Sequence, residues 1–285
     1  MQSKSTLLLG ASGLLGSAVA SHWKSAGLEL HAPSSQLVDI RQFDQVDGAI
    51  EGANADLVIN CAAESSLEEA ARDPDRAYGI NVLGPHNIAL ACARRNIPLA
   101  HFSTDYVFDG HRRQPYREMD ATGSPPNLYG KGKQDAELLI RQSTPRHYIL
   151  RVAALFGPGH RADFVDWILS KADPTQPLTI VADRRVSPSY TVDIAKQLFR
   201  LVSTPFYGTY HASSHGEASW FDLAQEALRL RDKNIAGVRP VADSALKSPV
   251  VRPRYTVLDN YNLRLRGLDE MRPWKEALAE YLGAS

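Results

Sequence analysis

The stretch LLLGASGLLG, residues 7–16, decides the fold of this chain. An apolar run leads into Gly10, Gly13 and Gly16, spaced G-x-x-G-x-x-G, and a helix-like stretch then precedes a second apolar run, Leu28–Ala32. Strand, glycine turn, helix and strand in this order are typical of a dinucleotide-binding βαβ unit, although the first gap here is one residue wider than usual. The first glycine permits the tight turn, the second lets the backbone approach a pyrophosphate at the helix N-terminus, and the third lets helix and strand pack closely. The pattern predicts cofactor contacts from the residues of this turn: Gly10, Ser12, Gly13, Leu14, Leu15 and Gly16.

The same region also imitates a secretory signal peptide. The apolar residues up to Leu15 are similar to its hydrophobic segment, and the small residues Ala18-Val19-Ala20 are similar to a cleavage site. We favour the dinucleotide turn because cleavage would remove it and because the rest of the chain is typical of a cytosolic protein. We therefore expect a cytoplasmic location.

The composition argues against several classes of function. The chain has 285 residues, 44% of them hydrophobic, which is enough for a sizeable core in one large or two modest domains. Its 32 basic residues balance 32 acidic ones, so the charge gives no sign of a nucleic-acid partner. No apolar run reaches the roughly 18 residues that a membrane span needs, so we expect no membrane partner. Cys61 and Cys92 are interpreted as small buried residues, and we predict neither a disulfide nor a metal site.

Strand-like and helix-like segments alternate through the first half of the chain. This alternation predicts an α/β fold, a doubly wound parallel sheet of the Rossmann type. The second half is less regular, and we predict a smaller C-terminal substrate lobe there. The predicted division is an NAD(P)-binding domain at residues 1–155 and a substrate-binding lobe at 156–285, with the chain re-entering the first lobe at least once. The predicted strands are 7–9, 28–32, 56–62, 99–103, 148–155, 178–181 and 207–212. The predicted helices are a stretch from after Gly16 to Ala26, then 44–50, 74–95, 164–172, 219–231 and the one that carries Tyr129.

Tyr129 and Lys133 stand four residues apart in the spacing Y-x-x-x-K, downstream of Thr104. On a helix this spacing places the ammonium one turn from the phenol, on the same face. A phenol with an ordinary pKa of about 10 is a poor proton relay at neutral pH, and a nearby cation lowers that pKa. Hydride arriving at a carbonyl carbon builds negative charge on the oxygen, which a placed hydroxyl and an acidic phenol stabilise and protonate. The pattern therefore predicts a ketone reductase with Thr104, Tyr129 and Lys133 as catalytic residues.

Further strings resemble one family. FSTDYVFDG at residues 102–110, PPNLYG at 125–130 and SPSYT at 187–191 are similar to the dTDP-4-dehydrorhamnose reductases of the extended short-chain dehydrogenase/reductase superfamily, and the similarity covers nearly the whole chain. The resemblance implies reduction of the C4 ketone of a nucleotide-linked 4-keto-6-deoxy sugar by NADPH or NADH, in polysaccharide or glycoside biosynthesis such as that of dTDP-rhamnose. It also implies that Thr104 hydrogen-bonds the substrate carbonyl and that Lys133 holds the nicotinamide ribose. Some members of the family form a magnesium-linked dimer, so Mg²⁺ and a homodimer stay open.

The end of the second predicted strand bears on the choice of cofactor. An NAD-selective fold places an acid there to bind the ribose hydroxyls, whereas this chain has Ser34 and Ser35, which can donate to a 2′-phosphate. We therefore favour NADP(H), with NAD(H) as the alternative. Asn81 is interpreted as a structural amide that bonds to backbone. The resemblance implies further cofactor contacts from Asp39, Ile40, Ala62, Ala63, Glu64 and Phe102.

The predicted substrate side departs from the family pattern. We expect Thr104, Asp105, Ala154 and Arg185 to line it. Ala154 stands where the family has a sugar-pocket tryptophan, which opens space and removes a stacking surface. Arg185 belongs to a stretch that replaces a glycine-containing one, and its guanidinium can pair with a diphosphate, with a plain surface charge as the alternative. The substrate is therefore expected to be a nucleotide sugar whose sugar stays open.

Other functions of the superfamily compete with the reductase. Dehydration is disfavoured because Tyr106 follows Asp105 where dehydratases carry a glutamate. A sugar-nucleotide epimerase shares the tyrosine and lysine and stays open. The regulatory β subunit of methionine adenosyltransferase resembles the same family, so a non-catalytic, dinucleotide-binding role beside another protein also stays open.

Overall fold

The computed structural model describes residues 5–159 and 162–283. The strands are β1 Thr6–Leu9, β2 Leu30–His31, β3 Leu57–Asn60, β4 Leu99–Thr104, β5 His147–Val152, β6 Leu155–Phe156, β7 Leu178–Val181, β8 Ser189–Tyr190, β9 Gly208–His211 and β10 Val238–Val241. The helices are α1 Leu14–Ser25, α2 Phe43–Gly52, α3 Leu67–Arg72, α4 Pro74–Tyr78, α5 Gly84–Arg95, α6 Leu128–Ser143, α7 Phe164–Lys171, α8 Thr191–Val202, α9 Trp220–Leu230, α10 Tyr261–Leu265 and α11 Trp274–Tyr281. A π-helical turn, Gly79–Leu83, joins α4 to α5.

Six strands form one sheet in the order β2-β1-β3-β4-β5-β9, with every neighbouring pair parallel. Successive side chains of a strand point to opposite faces, and β1 shows the result. Leu8 packs in a core cluster with Val19 of α1 and Leu198 of α8, whereas Leu7 packs in another with Ile88 of α5. Helices thus cover both faces, and the predicted doubly wound sheet is confirmed.

The strand order reverses between β1 and β3. The chain passes from β1 to β2 on one side and returns to β3 on the other. In such sheets ligands bind outside the carboxyl ends of the strands at the point of reversal. Gly10 follows β1 there and Cys61 follows β3, so the glycine turn borders this crevice.

Later parts of the chain contribute to two regions. A smaller region contains the parallel pair β7–β10, whose Ile180 and Val238 pack with Ile168 of α7 and Leu228 of α9. In contrast, β9 pairs with β5 as the sixth strand of the main sheet, and α8 packs on the same face as α1. The division at residues 155 and 156 stays a prediction.

Two predicted elements are interrupted. The strand predicted at 148–155 ends at Val152, because Ala154 adopts a φ of +41° and turns the chain into β6, which pairs with β8. The helix predicted at 74–95 contains the π-helical turn, which ends just before Pro85. Proline lacks the N–H that an α-helix would bond to residue 81, so the regular pattern fails there.

No helix of the described residues is long and apolar enough to cross a membrane. Within the same residues, no group of three or more His, Cys, Asp or Glu side chains is arranged to hold a metal ion.

Candidate active site

The backbone of the glycine turn is packed so closely against neighbouring backbone that side chains at two of its glycines would collide with it. Gly10 has a φ of +81°, and a Cβ there would lie 2.5 Å from the backbone nitrogen of Ala62. A Cβ on Gly16 would lie 2.1 Å from the carbonyl oxygen of Gly10. The first and third glycines therefore allow β1, β3 and α1 to approach closely.

Gly13 is the N-cap of α1 and has more room. A Cβ there would meet the Gly10 carbonyl oxygen at an ordinary 3.5 Å. Among the described residues, no side chain caps α1 and no acidic residue stands in its first turn. Free N–H groups at a helix N-terminus attract anions, so the turn fits a pyrophosphate. Of the other predicted contacts, Ser12 is exposed, Leu14 is partly buried and Leu15 packs in the core.

The segment after β2 holds the residues expected near the ribose and adenine. Ser34 and Ser35 are exposed. The carboxylate of Asp39 accepts hydrogen bonds from Arg41, which hold its pKa below the ordinary value. Ile40 is buried in the core against the α2 side of the sheet, so a contact with a ligand would come from its backbone.

The segment after β3 is tied back to the protein. Asn81 accepts a hydrogen bond from the Glu64 N–H and donates one to the Glu64 carbonyl, both at 2.9 Å, which confirms its structural role. The Glu64 carboxylate accepts from Arg76 at 2.7 Å. Ala62 and Ala63 present small side chains at the crevice, with Ala63 exposed.

Thr104 and Asp105 lie buried at the carboxyl end of β4. The Thr104 hydroxyl donates to Oδ1 of Asp105 at 3.0 Å and accepts from the Tyr106 N–H at 3.2 Å. Burial raises the pKa of Asp105 to about 6, against the effect of its hydrogen bonds. Phe102, also on β4, packs in the core cluster that contains Leu8, so its side chain belongs to the sheet's interior.

Helix α6 brings Tyr129 to Thr104. Asn127 caps the helix by accepting from the Gly130 N–H at 2.9 Å. A Cβ on Gly130 would lie 2.1 Å from the Tyr106 carbonyl oxygen, so this glycine lets α6 start against the end of β4. Burial raises the pKa of Tyr129 to about 12, while a hydrogen bond with the Thr104 side chain acts in the opposite direction. The two side chains are therefore neighbours, with Thr104 buried and Tyr129 partly buried.

Lys133 is buried one turn further along α6, at 2% exposure. Its Nζ lies 3.2 Å from Nε2 of His101, and Nδ1 of His101 lies 3.1 Å from Nδ2 of Asn60. Burial lowers the pKa of Lys133 to about 8, although the Glu137 charge acts to raise it. Desolvation likewise outweighs the Thr104 hydrogen bond at Tyr129, so its pKa stands above the ordinary value, and a lowering effect of Lys133 on it stays a prediction.

A buried ion pair holds α6 against the sheet. Glu137 accepts from Nε and Nη2 of Arg151 on β5, at 2.8 and 2.7 Å, and from the Ser103 hydroxyl of β4 at 2.6 Å. Burial alone would raise the pKa of Glu137, but the Arg151 charge and these hydrogen bonds lower it to about 2. The pair therefore positions the helix that carries Tyr129 and Lys133.

The structure separates Arg185 from the rest of the predicted site. Its guanidinium donates to Asp222 at 2.6 Å, on the face of α9. Neighbouring residues of an extended segment point to opposite sides, and it is Arg184 whose charge acts on Tyr106, opposing the larger effect of burial on the pKa of that phenol. Arg184 is itself paired with Asp243, so a substrate contact from Arg185 stays a prediction. Ala154, with its positive φ, ends the strand beside this region.

Sequence reasoning missed three residues beneath or beside the site: Asn60, His101 and Gly130. A signal existed for His101, because it is a polar residue within the apolar run of β4, on the same face as Ser103. Gly130 could be recognised only from the close approach of α6 to β4.

Comparisons with known proteins agree with one another. A family model described as the RmlD substrate binding domain matches residues 4–285. The dTDP-4-dehydrorhamnose reductase of Mycolicibacterium smegmatis is 35% identical over 98% of this chain and 85% of that protein. The dTDP-4-keto-6-deoxy-D-glucose reductase of Streptomyces niveus is 34% identical over 96% of this chain and 95% of that protein. The crystal structure of dTDP-4-dehydrorhamnose reductase from Bacillus anthracis in complex with NADP has a TM-score of 0.93 and 29% identity, covering 100% of this chain and 99% of that one.

Proposed function

The chain belongs to the family described as the RmlD substrate binding domain, and we propose how its residues perform the reduction for which its relatives are named. It is an NAD(P)H-dependent oxidoreductase that reduces the C4 ketone of a nucleotide-linked 4-keto-6-deoxy sugar. The proposal concerns the role of each residue and the choice of cofactor.

Residues after the first two strands, β1 and β2, would hold the dinucleotide. The uncapped N-terminus of α1, with Gly13, would receive the pyrophosphate. Ser34 and Ser35 would receive a 2′-phosphate, and the relative solved with NADP supports NADP(H) over NAD(H). When bound, the dihydronicotinamide supplies the hydride.

Tyr129 donates its hydroxyl proton to the ketone oxygen as the carbonyl carbon takes up the hydride. The C=O double bond becomes C–O–H, and Tyr129 is left as a phenolate that regains its proton from water. Thr104, whose hydroxyl is beside that of Tyr129, stabilises the charge that develops on the oxygen. Lys133, one turn along the same helix, would hold the nicotinamide ribose.

One observation carries this proposal. The Thr104 hydroxyl at the carboxyl end of β4 lies close enough to Tyr129 to affect its pKa, and Lys133 lies buried on the same helix as the tyrosine. A proton donor, a second hydroxyl and a lysine amine thus converge beside the crevice between β1 and β3, where a dinucleotide binds in folds of this kind.

The test is Tyr129→Phe, with Tyr78→Phe as the matched control because Tyr78 is 51% exposed on α4. Turnover is followed as the loss of dihydronicotinamide absorbance, with dTDP-4-keto-6-deoxymannose as substrate. We expect Tyr129→Phe to lower kcat by about 10²–10⁴-fold with little change in NADPH affinity, and the control to behave as wild type. Full activity of Tyr129→Phe would overturn the assignment of the proton donor.

Stoichiometry distinguishes the reductase from the epimerase. A reductase oxidises one NADPH for each sugar converted, whereas an epimerase returns its cofactor unchanged. Tight NADPH binding without turnover of this sugar would direct the search to other 4-keto sugars. A homodimer and a role for Mg²⁺ stay predictions from the family resemblance.

A further inference from the structure

The buried chain Asn60–His101–Lys133 fixes the direction of its own hydrogen bonds. The amide of Asn60 is oriented by the backbone, because the Ala62 N–H donates to Oδ1 at 3.0 Å. The other end of the amide, Nδ2, therefore faces Nδ1 of His101 at 3.1 Å. An amide nitrogen can only donate, so Nδ1 of His101 must accept.

A histidine that accepts at Nδ1 carries its proton on Nε2 if it is neutral. His101 is fully buried, and this burial lowers its pKa well below the ordinary value. The neutral ring therefore directs Nε2–H at Nζ of Lys133, 3.2 Å away. An ammonium has only donors, so a charged Lys133 would face this N–H donor to donor, whereas an uncharged amine can accept from it.

We propose that Lys133 in the ligand-free protein is an uncharged amine that accepts a hydrogen bond from Nε2–H of His101. Protonation of Lys133 then requires His101 to move its proton to Nδ1 and the Asn60 amide to rotate, which costs the hydrogen bond from the Ala62 N–H. His101 and Asn60 are positioning residues that control the charge of Lys133. A role of this hydrogen-bond network in turnover rests on the proposed function. Its effect on the charge of Lys133 in the ligand-free protein does not.

The titratable groups around Lys133 are consistent with an uncharged amine. Glu137, one turn along α6, favours the ammonium, but its charge is already shared with Arg151 of β5. Cys61 follows β3, and burial raises the pKa of its thiol to about 12, so it is neutral. Tyr129 is a neutral phenol on the preceding turn. Burial lowers the pKa of Lys133 to about 8, and a buried donor–donor clash lowers it further.

The experiment reads the ligand-free protein directly by NMR. With ¹⁵N-labelled histidine, the ring shifts of His101 report which nitrogen carries the proton. With ¹³C-labelled lysine, the Cε shift of Lys133 gives its titration midpoint, and Lys133→Arg assigns the signal. We expect the Nε2–H form of His101 above the midpoint and its reversal to Nδ1–H as the pH falls through it.

Two variants disturb the hydrogen-bond network by different chemistry, and both should raise the titration midpoint of Lys133. In Asn60→Asp, one carboxylate oxygen still accepts from the Ala62 N–H, and the other can accept from Nδ1 of His101. The His101 ring should therefore carry its proton on Nδ1 at every pH. His101→Gln removes the ring without adding charge and lets an amide oxygen face Lys133. We expect both to raise the Lys133 midpoint by about one pH unit or more, and His211→Gln, a buried histidine next to Arg151, to leave it unchanged.

The outcomes separate this inference from the proposed function. An Nδ1–H ring in wild type above the Lys133 midpoint would overturn it, as would equal midpoints in wild type and both variants. The wild-type tautomer decides alone if a variant does not fold. Neither result touches the Tyr129→Phe test, which depends on turnover.

Discussion

Alanine at Gly16 should destabilise the protein, and alanine at Gly13 should weaken cofactor binding instead. A Cβ at Gly16 would lie 2.1 Å from the Gly10 carbonyl oxygen and 2.9 Å from the Ala11 Cα, so α1 must retreat by about 1 Å to restore normal contact. Both clashing atoms are backbone and cannot rotate away. Overpacking of this kind costs about 3 kcal/mol, of which the better helix propensity of alanine returns roughly 1 kcal/mol. The net loss of about 2 kcal/mol corresponds to a fall in Tm of roughly 4–8 °C.

The matched control is Gly48→Ala, on α2. Gly48 has no atom within 4 Å of the position that a Cβ would take, so alanine there should add about 0.5–1 kcal/mol to the free energy of unfolding. For Gly13→Ala the new Cβ meets one oxygen at 3.5 Å, and the ligand-free protein should lose no more than about 1 kcal/mol. The same methyl group stands where the pyrophosphate must approach the backbone, so NADPH should bind at least about tenfold more weakly.

Thermal unfolding with and without NADPH measures both effects, and a fluorescence titration gives the Kd. The reasoning predicts that Gly16→Ala lowers the Tm of the ligand-free protein, that Gly48→Ala raises it, and that Gly13→Ala reduces only the rise in Tm that NADPH causes. Equal Tm values for Gly16→Ala and Gly48→Ala would refute the close approach of α1 to β1. Unchanged NADPH affinity in Gly13→Ala would refute the placement of the pyrophosphate.

Three further changes test the site's electrostatics. Glu137→Gln leaves Arg151 buried without its anion and should cost about 3–5 kcal/mol in urea unfolding at neutral pH, whereas Arg141→Gln, at the exposed edge of the pair, should cost less than about 1 kcal/mol. Because the pKa of Glu137 falls from 4.5 to about 2, its stabilisation should persist above pH 4.5 and disappear towards pH 2. The pKa of Asp105 rises from 3.8 to about 6, so its ionised form is destabilising, and Asp105→Asn should add up to about 3 kcal/mol at pH 8 and almost nothing near pH 4. Ser34→Asp should shift the ratio of kcat/KM for NADPH to that for NADH by at least about tenfold towards NADH, and an unchanged ratio would place the 2′-phosphate elsewhere.

Local patterns predicted the elements that local physics determines. The strand at residues 178–181 was predicted with its correct bounds, because a short apolar run between polar residues is typical of a buried strand. The glycine turn and the Y-x-x-x-K helix were predicted because each needs specific residues at fixed spacing. The break at Ala154 was not predicted, since a positive φ at an alanine results from the tertiary fold and leaves no mark in the pattern.

Long-range features needed the structure. The ion pair of Arg185 with Asp222 could not be inferred from the sequence, because Asp222 lies on a distant element, α9. The partner of β9 could not be inferred from the order of elements, because the strand returns from the second half of the chain to the edge next to β5. Sequence spacing also predicted the neighbours of Tyr129 but not the degree of desolvation, which decides its pKa.

Desolvation, more than charge pairing, sets the protonation state of the ligand-free site, and that state suits the chemistry of reduction. Burial favours the uncharged form of every group that lacks a strong partner, so it holds the pKa of Tyr129 at about 12 and lowers that of Lys133 to about 8. A phenol with that pKa carries its proton at any physiological pH. Reduction of a ketone consumes a proton at the oxygen, whereas the reverse oxidation would need Tyr129 as a phenolate. The ligand-free site therefore holds the proton where reduction needs it, and a lower pKa for Tyr129 has to come with the ligands that bring charge to Lys133.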